Sequence, residues 1–155
     1  MSKFTKISNE PSLIDSNILV FAHNIASPFQ ERAKELLFLV LNGEIKGVLS
    51  PQNLLEFYSV ITNPKRVEKP LLIADVSFLV DEYLTSGDIS FIYPKEGTSS
   101  RAFSLARKYQ IRKADIFDTY LIATMLDNDV KIIYTDNDKH FRIFEEIKVI
   151  NPFKP

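Results

Sequence analysis

The chain has 155 residues, of which 45% are hydrophobic and 25% are charged, and its formal net charge is −1. This composition is typical of one globular domain with a hydrophobic core, and it provides no overall basic surface for nucleic acid. The absence of cysteine excludes disulfides and thiolate metal sites and favours a reducing cytoplasm.

The hydrophobic pattern predicts strands that alternate with helices. The apolar, β-branched residues at 12–21 are typical of a buried parallel strand whose end turns into a short helix. Ser-Pro pairs at 27–28 and 50–51 each predict a helix start, with serine as N-cap and proline as first helical residue. The other predicted elements are helices at about 70–87, 98–109 and 116–126, and strands at 46–50, 89–93, 130–135 and 147–150.

This alternation predicts an α/β fold, a single three-layer α/β/α domain with a mostly parallel sheet. We expect residues 1–155 to form one domain with its core at about 12–153. No stretch reaches the roughly 18 apolar residues of a membrane span, and the polar residues 1–12 lack the apolar segment of a secretory signal. These features predict a cytoplasmic protein.

Acidic residues recur where ligands bind in such sheets, beyond the carboxyl ends of the strands. Asp15 lies in an apolar run, where an ionised carboxylate needs a partner or a metal, although a buried aspartate that caps a neighbouring helix is the alternative. Glu56 lies at the edge of the apolar arc of the second Ser-Pro helix, and a solvated glutamate is the alternative there.

Two further groups of acids have similar positions. Asp115 is a good N-cap and Asp118 follows in the first helical turn, so both carboxylates complement the positive end of the helix dipole. Capping alone is the preferred explanation for Asp115 but not for Asp118. The third group, Asp136-Asn137-Asp138, directly follows a predicted strand, and an Asp/Asn-rich turn is the alternative.

If one crevice gathers these carboxylates, they repel one another and their pKa values rise unless a cation is bound. Oxygen ligands without cysteine, and with only His23 and His140 as histidines, point to Mg²⁺ or Mn²⁺ rather than zinc. Such an ion activates water and neutralises charge on a phosphodiester. The predicted chemistry is metal-assisted hydrolysis of a phosphate ester, and no side-chain nucleophile is evident.

Four motifs in order resemble those of the PIN-domain family, in particular VapC-like toxins of bacterial and archaeal toxin–antitoxin pairs. They are Leu13-Ile14-Asp15-Ser16-Asn17, the segment 50–58 with Glu56, the segment 117–124 that begins Phe117-Asp118, and the segment 135–141 that begins Thr135-Asp136-Asn137-Asp138. The resemblance covers residues 13–153. It implies a PIN-like fold and a metal-dependent endoribonuclease, with RNA as substrate, a small antitoxin protein as partner, and a homodimer.

The resemblance also implies the site residues. Asp15, Glu56 and Asp118 would be catalytic and would bind Mg²⁺ or Mn²⁺, with a fourth acid from the 136–138 group. The family's usual position for that acid is Asn137 here, flanked by Asp136 and Asp138, and we choose Asp136. Ser16, Asn17 and Asn137 would orient waters or phosphate oxygens around the ion.

Two basic groups adjoin the acidic positions in sequence and could bind phosphates along the groove. They are Lys65-Arg66 with Lys69, and Arg107-Lys108 with Arg112-Lys113. Solvated surface charge is the alternative for each group.

Three other types of protein share parts of this pattern. A receiver domain or phosphoaspartyl phosphatase would need an acid next to Asp15, which is absent, and Asp15 is predicted early in its strand. A PIN-like module that binds RNA or protein without catalysis would lack one of the acids. A purely structural α/β domain leaves the buried Asp15 unexplained.

Overall fold

A computed structural model describes residues 9–154. Within those residues the chain forms five strands and seven helices in an α/β arrangement. The strands are β1 Ser12–Ile14, β2 Gly47–Leu49, β3 Ser90–Phe91, β4 Ile132–Tyr134 and β5 Lys148–Ile150. The helices are α1 Ser16–His23, α2 Gln30–Leu41, α3 Pro51–Ile61, α4 Ile73–Thr85, α5 Thr98–Tyr109, α6 Asp115–Asp127 and α7 Asp138–Phe141.

All neighbouring strands are parallel, and the order across the sheet is β3-β2-β1-β4-β5. In the register of the sheet, Leu13 of β1 lies opposite Val48 on one side and Ile133 on the other. The strand β1 is central: β2 and β3 lie on one side of it, and β4 and β5 lie on the other. The crevice beyond the carboxyl ends of β1 and β4 is therefore the topological switch point of the sheet. This is where open α/β sheets bind their ligands.

The sheet separates two hydrophobic cores, because successive strand side chains point to opposite faces. Ile14, Leu49 and Tyr134 belong to the core on the side of α1, α2, α3 and α4. Leu13, Val48 and Ile133 belong to the core on the side of α5, α6 and α7. The expected three-layer α/β/α fold with a parallel sheet is therefore confirmed.

Local sequence signals explain several boundaries. Ser50 caps α3, accepts a hydrogen bond from the amide of Asn53 and forms a capping box with it, and Pro51 is the first helical residue, as predicted. Gly47 lies at the start of β2, where a Cβ atom would come within 2.5 Å of Val40 Cγ1. A glycine there lets α2 approach the sheet closely.

Several predicted boundaries were wrong. The strand β1 ends at Ile14, so Asp15 lies after the strand and not inside its apolar run, and the residues that follow form α1. The helix α2 begins at Gln30, because the hydroxyl of Ser27 accepts a hydrogen bond from the amide of Phe29 in a preceding turn. Asp115 is the first residue of α6 and not its N-cap, which is Ala114.

None of the helices within residues 9–154 combines the length and the hydrophobicity required to cross a membrane. The expectation about the polar N-terminal segment concerns mainly residues 1–8, which lie outside the described residues.

Candidate active site

Four of the acids that the sequence singled out, Asp15, Glu56, Asp118 and Asp136, line one cleft at the carboxyl end of the sheet, whereas Asp115 and Asp138 are not part of its lining. The cleft has a volume of about 590 Å³. Its lining includes Asp15, Ser16, Asn17, Glu56, Asp118, Asp136 and Asn137, together with Val20, Phe21, Asn24, Val60, Arg66 and Val67. Residues as distant in sequence as Asp15 and Asp136 therefore share one surface.

Asp15 is positioned by the turn from β1 into α1. Its backbone is extended, and its Oδ1 accepts a hydrogen bond of 2.8 Å from the amide of Ser16, so that it caps α1. Its Oδ2 accepts a hydrogen bond of 2.7 Å from Thr135 Oγ1 at the end of β4. The residue is only 5% exposed. Helix capping, the alternative for this residue, thus coexists with a place in the cleft.

Polar side chains connect the ends of β1 and β4. Asn17 Nδ2 donates to Thr135 Oγ1 at 3.2 Å, and Asn17 Oδ1 accepts a hydrogen bond from the amide of Asp136 at 3.2 Å. The amide of Asn137 donates to Thr135 Oγ1 at 2.9 Å. This network fixes the loop after β4 relative to Asp15.

Glu56 enters the cleft from α3, whose opposite face is buried through Leu54, Phe57 and Ile61. Glu56 Oε2 accepts a hydrogen bond of 2.9 Å from Ser16 Oγ. Glu56 Oε1 accepts one of 2.9 Å from Gln52 Nε2. The glutamate is therefore held by neighbours rather than freely solvated.

Asp118 lies in the first turn of α6 and is half-buried. Its Oδ2 is 3.6 Å from His140 Nδ1, and Asp115 Oδ1 is 3.9 Å from the same nitrogen. Among the described residues, Asp115, Asp118 and His140 each offer a donor atom within 4.8 Å of the others. Sequence reasoning missed His140 as a neighbour of the site, because only the packing of α7 beside α6 brings it there.

The residues of the 136–138 group have different surroundings in the structure. Asp136 and Asn137 line the cleft, whereas Asp138 is directed to other partners. Asp138 Oδ1 accepts hydrogen bonds from Asn151 Nδ2 at 2.9 Å and from Lys154 Nζ at 3.0 Å. These bonds, together with Arg142, hold the pKa of the Asp138 carboxyl well below its usual range. Asp138 therefore has a structural role at the base of the loop.

Burial and repulsion by neighbouring charges raise the pKa values of two carboxyl groups of the cleft, Asp15 and Asp118. Burial, with further contributions from the charges of Glu56 and Asp118, raises the pKa of Asp15 to about 7, although the hydrogen bonds from Thr135 and Ser16 oppose the change. Burial and the charge of Glu56 also raise the pKa of Asp118, and His140 opposes this. Without a cation, burial thus favours the protonated form of Asp15 up to about neutral pH.

The donor set fits a hard divalent cation. The cleft offers carboxylate and amide oxygens. Asp15 is its most buried acid, and burial destabilises the ionised form of this residue. A bound cation would remove that cost. Magnesium ions usually keep several waters and bind one or two carboxylates, so the acids need not all contact the ion directly.

A family model of the PIN domain matches residues 12–147. The chain belongs to the PIN domain family. This PIN domain is 26% identical over 139 residues to Ribonuclease VapC48 of Mycobacterium tuberculosis, and the match covers 90% of this chain and 95% of that protein.

Solved structures show the same PIN-like fold. A toxin–antitoxin complex from Klebsiella pneumoniae matches with a TM-score of 0.61 at 17% identity, over 93% of this chain and 99% of that one. VapC20 of Mycobacterium tuberculosis, a sarcin-ricin loop cleaving toxin, matches with a TM-score of 0.64 at 12% identity, over 88% of this chain and 98% of that one.

The predicted basic groups separate in this PIN domain. Arg66 lines the acidic cleft, whereas Arg107 and Arg112 line a different groove beside Phe103 on α5. Lys108 pairs with Glu146 at 3.5 Å. Of the two groups, only the one that follows α3 contributes a residue to the lining of the acidic cleft.

Proposed function

We propose that this protein is a Mg²⁺- or Mn²⁺-dependent endoribonuclease that hydrolyses RNA phosphodiester bonds in the cytoplasm. The observation that carries the proposal is the single cleft in which Asp15, Glu56, Asp118 and Asp136 converge at the switch point of the sheet. Membership of the PIN domain family and the likeness to a protein named as a ribonuclease support it.

In this proposal Asp15, Glu56, Asp118 and Asp136 hold the cation, directly or through water. When bound, the ion supplies an activated water and neutralises charge on the phosphate. The hydroxyl of Ser16 orients Glu56, and Thr135 orients Asp15 through their hydrogen bonds. Asn17 and Asn137 would position waters or phosphate oxygens around the ion at the rim of the cleft.

We further propose that the enzyme is the toxin of a type II toxin–antitoxin pair. Two solved proteins of the same fold support this: one is described as a toxin–antitoxin complex, the other as VapBC2 from Rickettsia felis bound to a promoter DNA fragment. The partner would be a small antitoxin protein, and the active toxin would be a homodimer. Expression of the wild-type protein without its antitoxin should arrest the growth of the host cells, and normal growth of those cells would contradict the toxin role.

Cleavage of a labelled single-stranded RNA tests the enzymatic proposal. The wild type should cleave with Mn²⁺ or Mg²⁺ and not with EDTA, and Asp15→Asn should lose activity by at least about a hundredfold, because a ligand of the ion is lost. Asp81→Asn is the matched control, since it makes the same chemical change on the exposed surface of α4. Equal cleavage by the wild type and Asp15→Asn would reveal a contaminant and refute the assignment.

A further inference from the structure

We propose that Arg66 binds a phosphate of the RNA backbone beside the acidic site, and so positions the substrate. This inference rests on the proposed ribonuclease function and adds a substrate-binding residue to it. Arg66 lines the same cleft as Asp15, Glu56 and Asp118. It is the basic residue among those that line the cleft within residues 9–154, so it introduces positive charge into a surface that otherwise repels nucleic acid.

The backbone at Arg66 is held in a defined turn after α3. The amides of Arg66 and Val67 donate to the carbonyl oxygen of Asn63 at 2.9 and 3.1 Å. Val67, directly after Arg66, is 5% exposed and belongs to the core on the side of α3. The base of the arginine side chain is therefore fixed at the edge of the cleft, although the side chain itself is exposed.

The guanidinium group of Arg66 is available to a ligand. No side-chain hydrogen bond or ion pair to it occurs within residues 9–154. Two other arginines are paired, Arg101 with Asp127 at 2.5 Å and Arg142 with Asp138 at 3.3 Å. An arginine that lines an acidic cleft without pairing to its acids can bind an anion from outside the protein.

The chemistry of the cleft identifies that anion as a phosphate. The reacting phosphodiester must lie at the carboxylates and their cation, so a neighbouring phosphate of the same strand reaches the rim of the cleft. The planar guanidinium group matches phosphate oxygens with two parallel hydrogen bonds. A backbone contact of this kind adds affinity and fixes the register of the strand but does not read the bases.

The test compares Arg66→Ala, Arg66→Lys and Lys65→Ala. Lys65 is the matched control, because it is the adjacent basic residue and does not line the cleft. Binding of a labelled single-stranded RNA is measured by fluorescence anisotropy with Ca²⁺ at several salt concentrations, and cleavage kinetics with Mn²⁺. Thermal melting verifies that each variant is folded.

We expect Arg66→Ala to weaken binding about tenfold at low salt, as for the loss of one charged hydrogen-bonding contact. The plot of log affinity against log salt should become shallower by about 0.7, which corresponds to one fewer phosphate contact on a single strand. The change should be equal for two unrelated RNA sequences and should appear in KM more than in kcat. Arg66→Lys should retain the wild-type slope, and Lys65→Ala should match the wild type.

An unchanged salt slope in Arg66→Ala would overturn the proposal, and so would an equal change in Lys65→Ala, which would indicate general surface charge. Failure of the ribonuclease function is a separate result. It would appear as the absence of Mn²⁺-dependent cleavage by the wild type, whereas a failure of the Arg66 proposal would leave wild-type cleavage intact.

Discussion

Replacement of Asp15 by asparagine should make the metal-free protein more stable at neutral pH. The pKa of Asp15 rises from 3.8 to about 7 on folding. Between these values the folded chain binds one more proton than the unfolded chain, so the free energy of unfolding falls as pH rises. The stability is fully present below pH 3.8 and is lost as pH rises through 7.

The magnitude follows from the same values. A pKa difference of about 3 corresponds to about 4 kcal/mol, and about 3 kcal/mol of this is lost between pH 5 and 8. The substituted asparagine would keep an oxygen for the amide of Ser16 but would weaken the bond with Thr135, at a cost of about 1 to 2 kcal/mol. The net gain above pH 7 is therefore about 2 to 3 kcal/mol.

Urea unfolding in EDTA between pH 5 and 8 measures this effect. The wild type should lose about 3 kcal/mol relative to Asp15→Asn over that range. The contribution of His23 is common to both proteins, so the difference between them reports Asp15 together with its charge interactions with Glu56 and Asp118. The control Asp81→Asn should follow the wild type. If Asp15→Asn showed the wild-type pH dependence, the perturbed pKa of Asp15 would be refuted.

Three other variants test the cleft and the scaffold. Mn²⁺ at about 100 times its Kd should stabilise the wild type by about 2.7 kcal/mol in thermal melting, and Glu56→Gln should reduce this gain; an undiminished gain would exclude Glu56 as a ligand. Asp138→Asn should lower stability at pH 7, because its partners keep the folded pKa below the ordinary value, and the loss should shrink as pH falls below about 4. An equal loss in urea unfolding at pH 7 and pH 3 would contradict this. Gly47→Ala should cost about 1 to 3 kcal/mol through contact with Val40, and the same substitution should cost less in a Val40→Ala background. Gly97→Ala, which meets no atom within 4 Å, is the control, and an equal loss there would disprove the packing explanation.

Much of the fold could be predicted because its local signals are strong. The helix α5 lies at 98–109 as predicted, and α3 begins at the Ser50 cap. The first element was misjudged because the residues after Asp15 are buried on α1, and a continuous apolar run fits a strand and a buried helix equally well. The error also weakened one argument against a receiver-like protein, since Asp15 does follow the end of its strand. The missing acid at position 16 and the PIN family match remain the reasons against that alternative.

The cleft could be predicted only in part. The acids follow strands or begin helices, so their convergence follows from a parallel sheet. The roles of Gln52 and His140 could not be predicted, because each depends on a contact between helices that are distant in sequence: Gln52 of α3 bonds to Phe117 of α6, and His140 of α7 lies beside Asp118 of α6. The division between Asp136 and Asp138 was equally inaccessible, since it is decided by Asn151 and Lys154, which follow β5.

The side-chain amide of Gln52 ties together two helices that carry different acids. Its nitrogen donates to Glu56 Oε1 at 2.9 Å and to the carbonyl oxygen of Phe117 at 3.0 Å, directly before Asp118. The spacing between the carboxylates on α3 and α6 is therefore restrained by the protein itself. In the proposed metal site, an incoming ion would meet preorganised carboxylates, so the entropy of arranging them would be lost during folding and would not reduce the affinity for the ion.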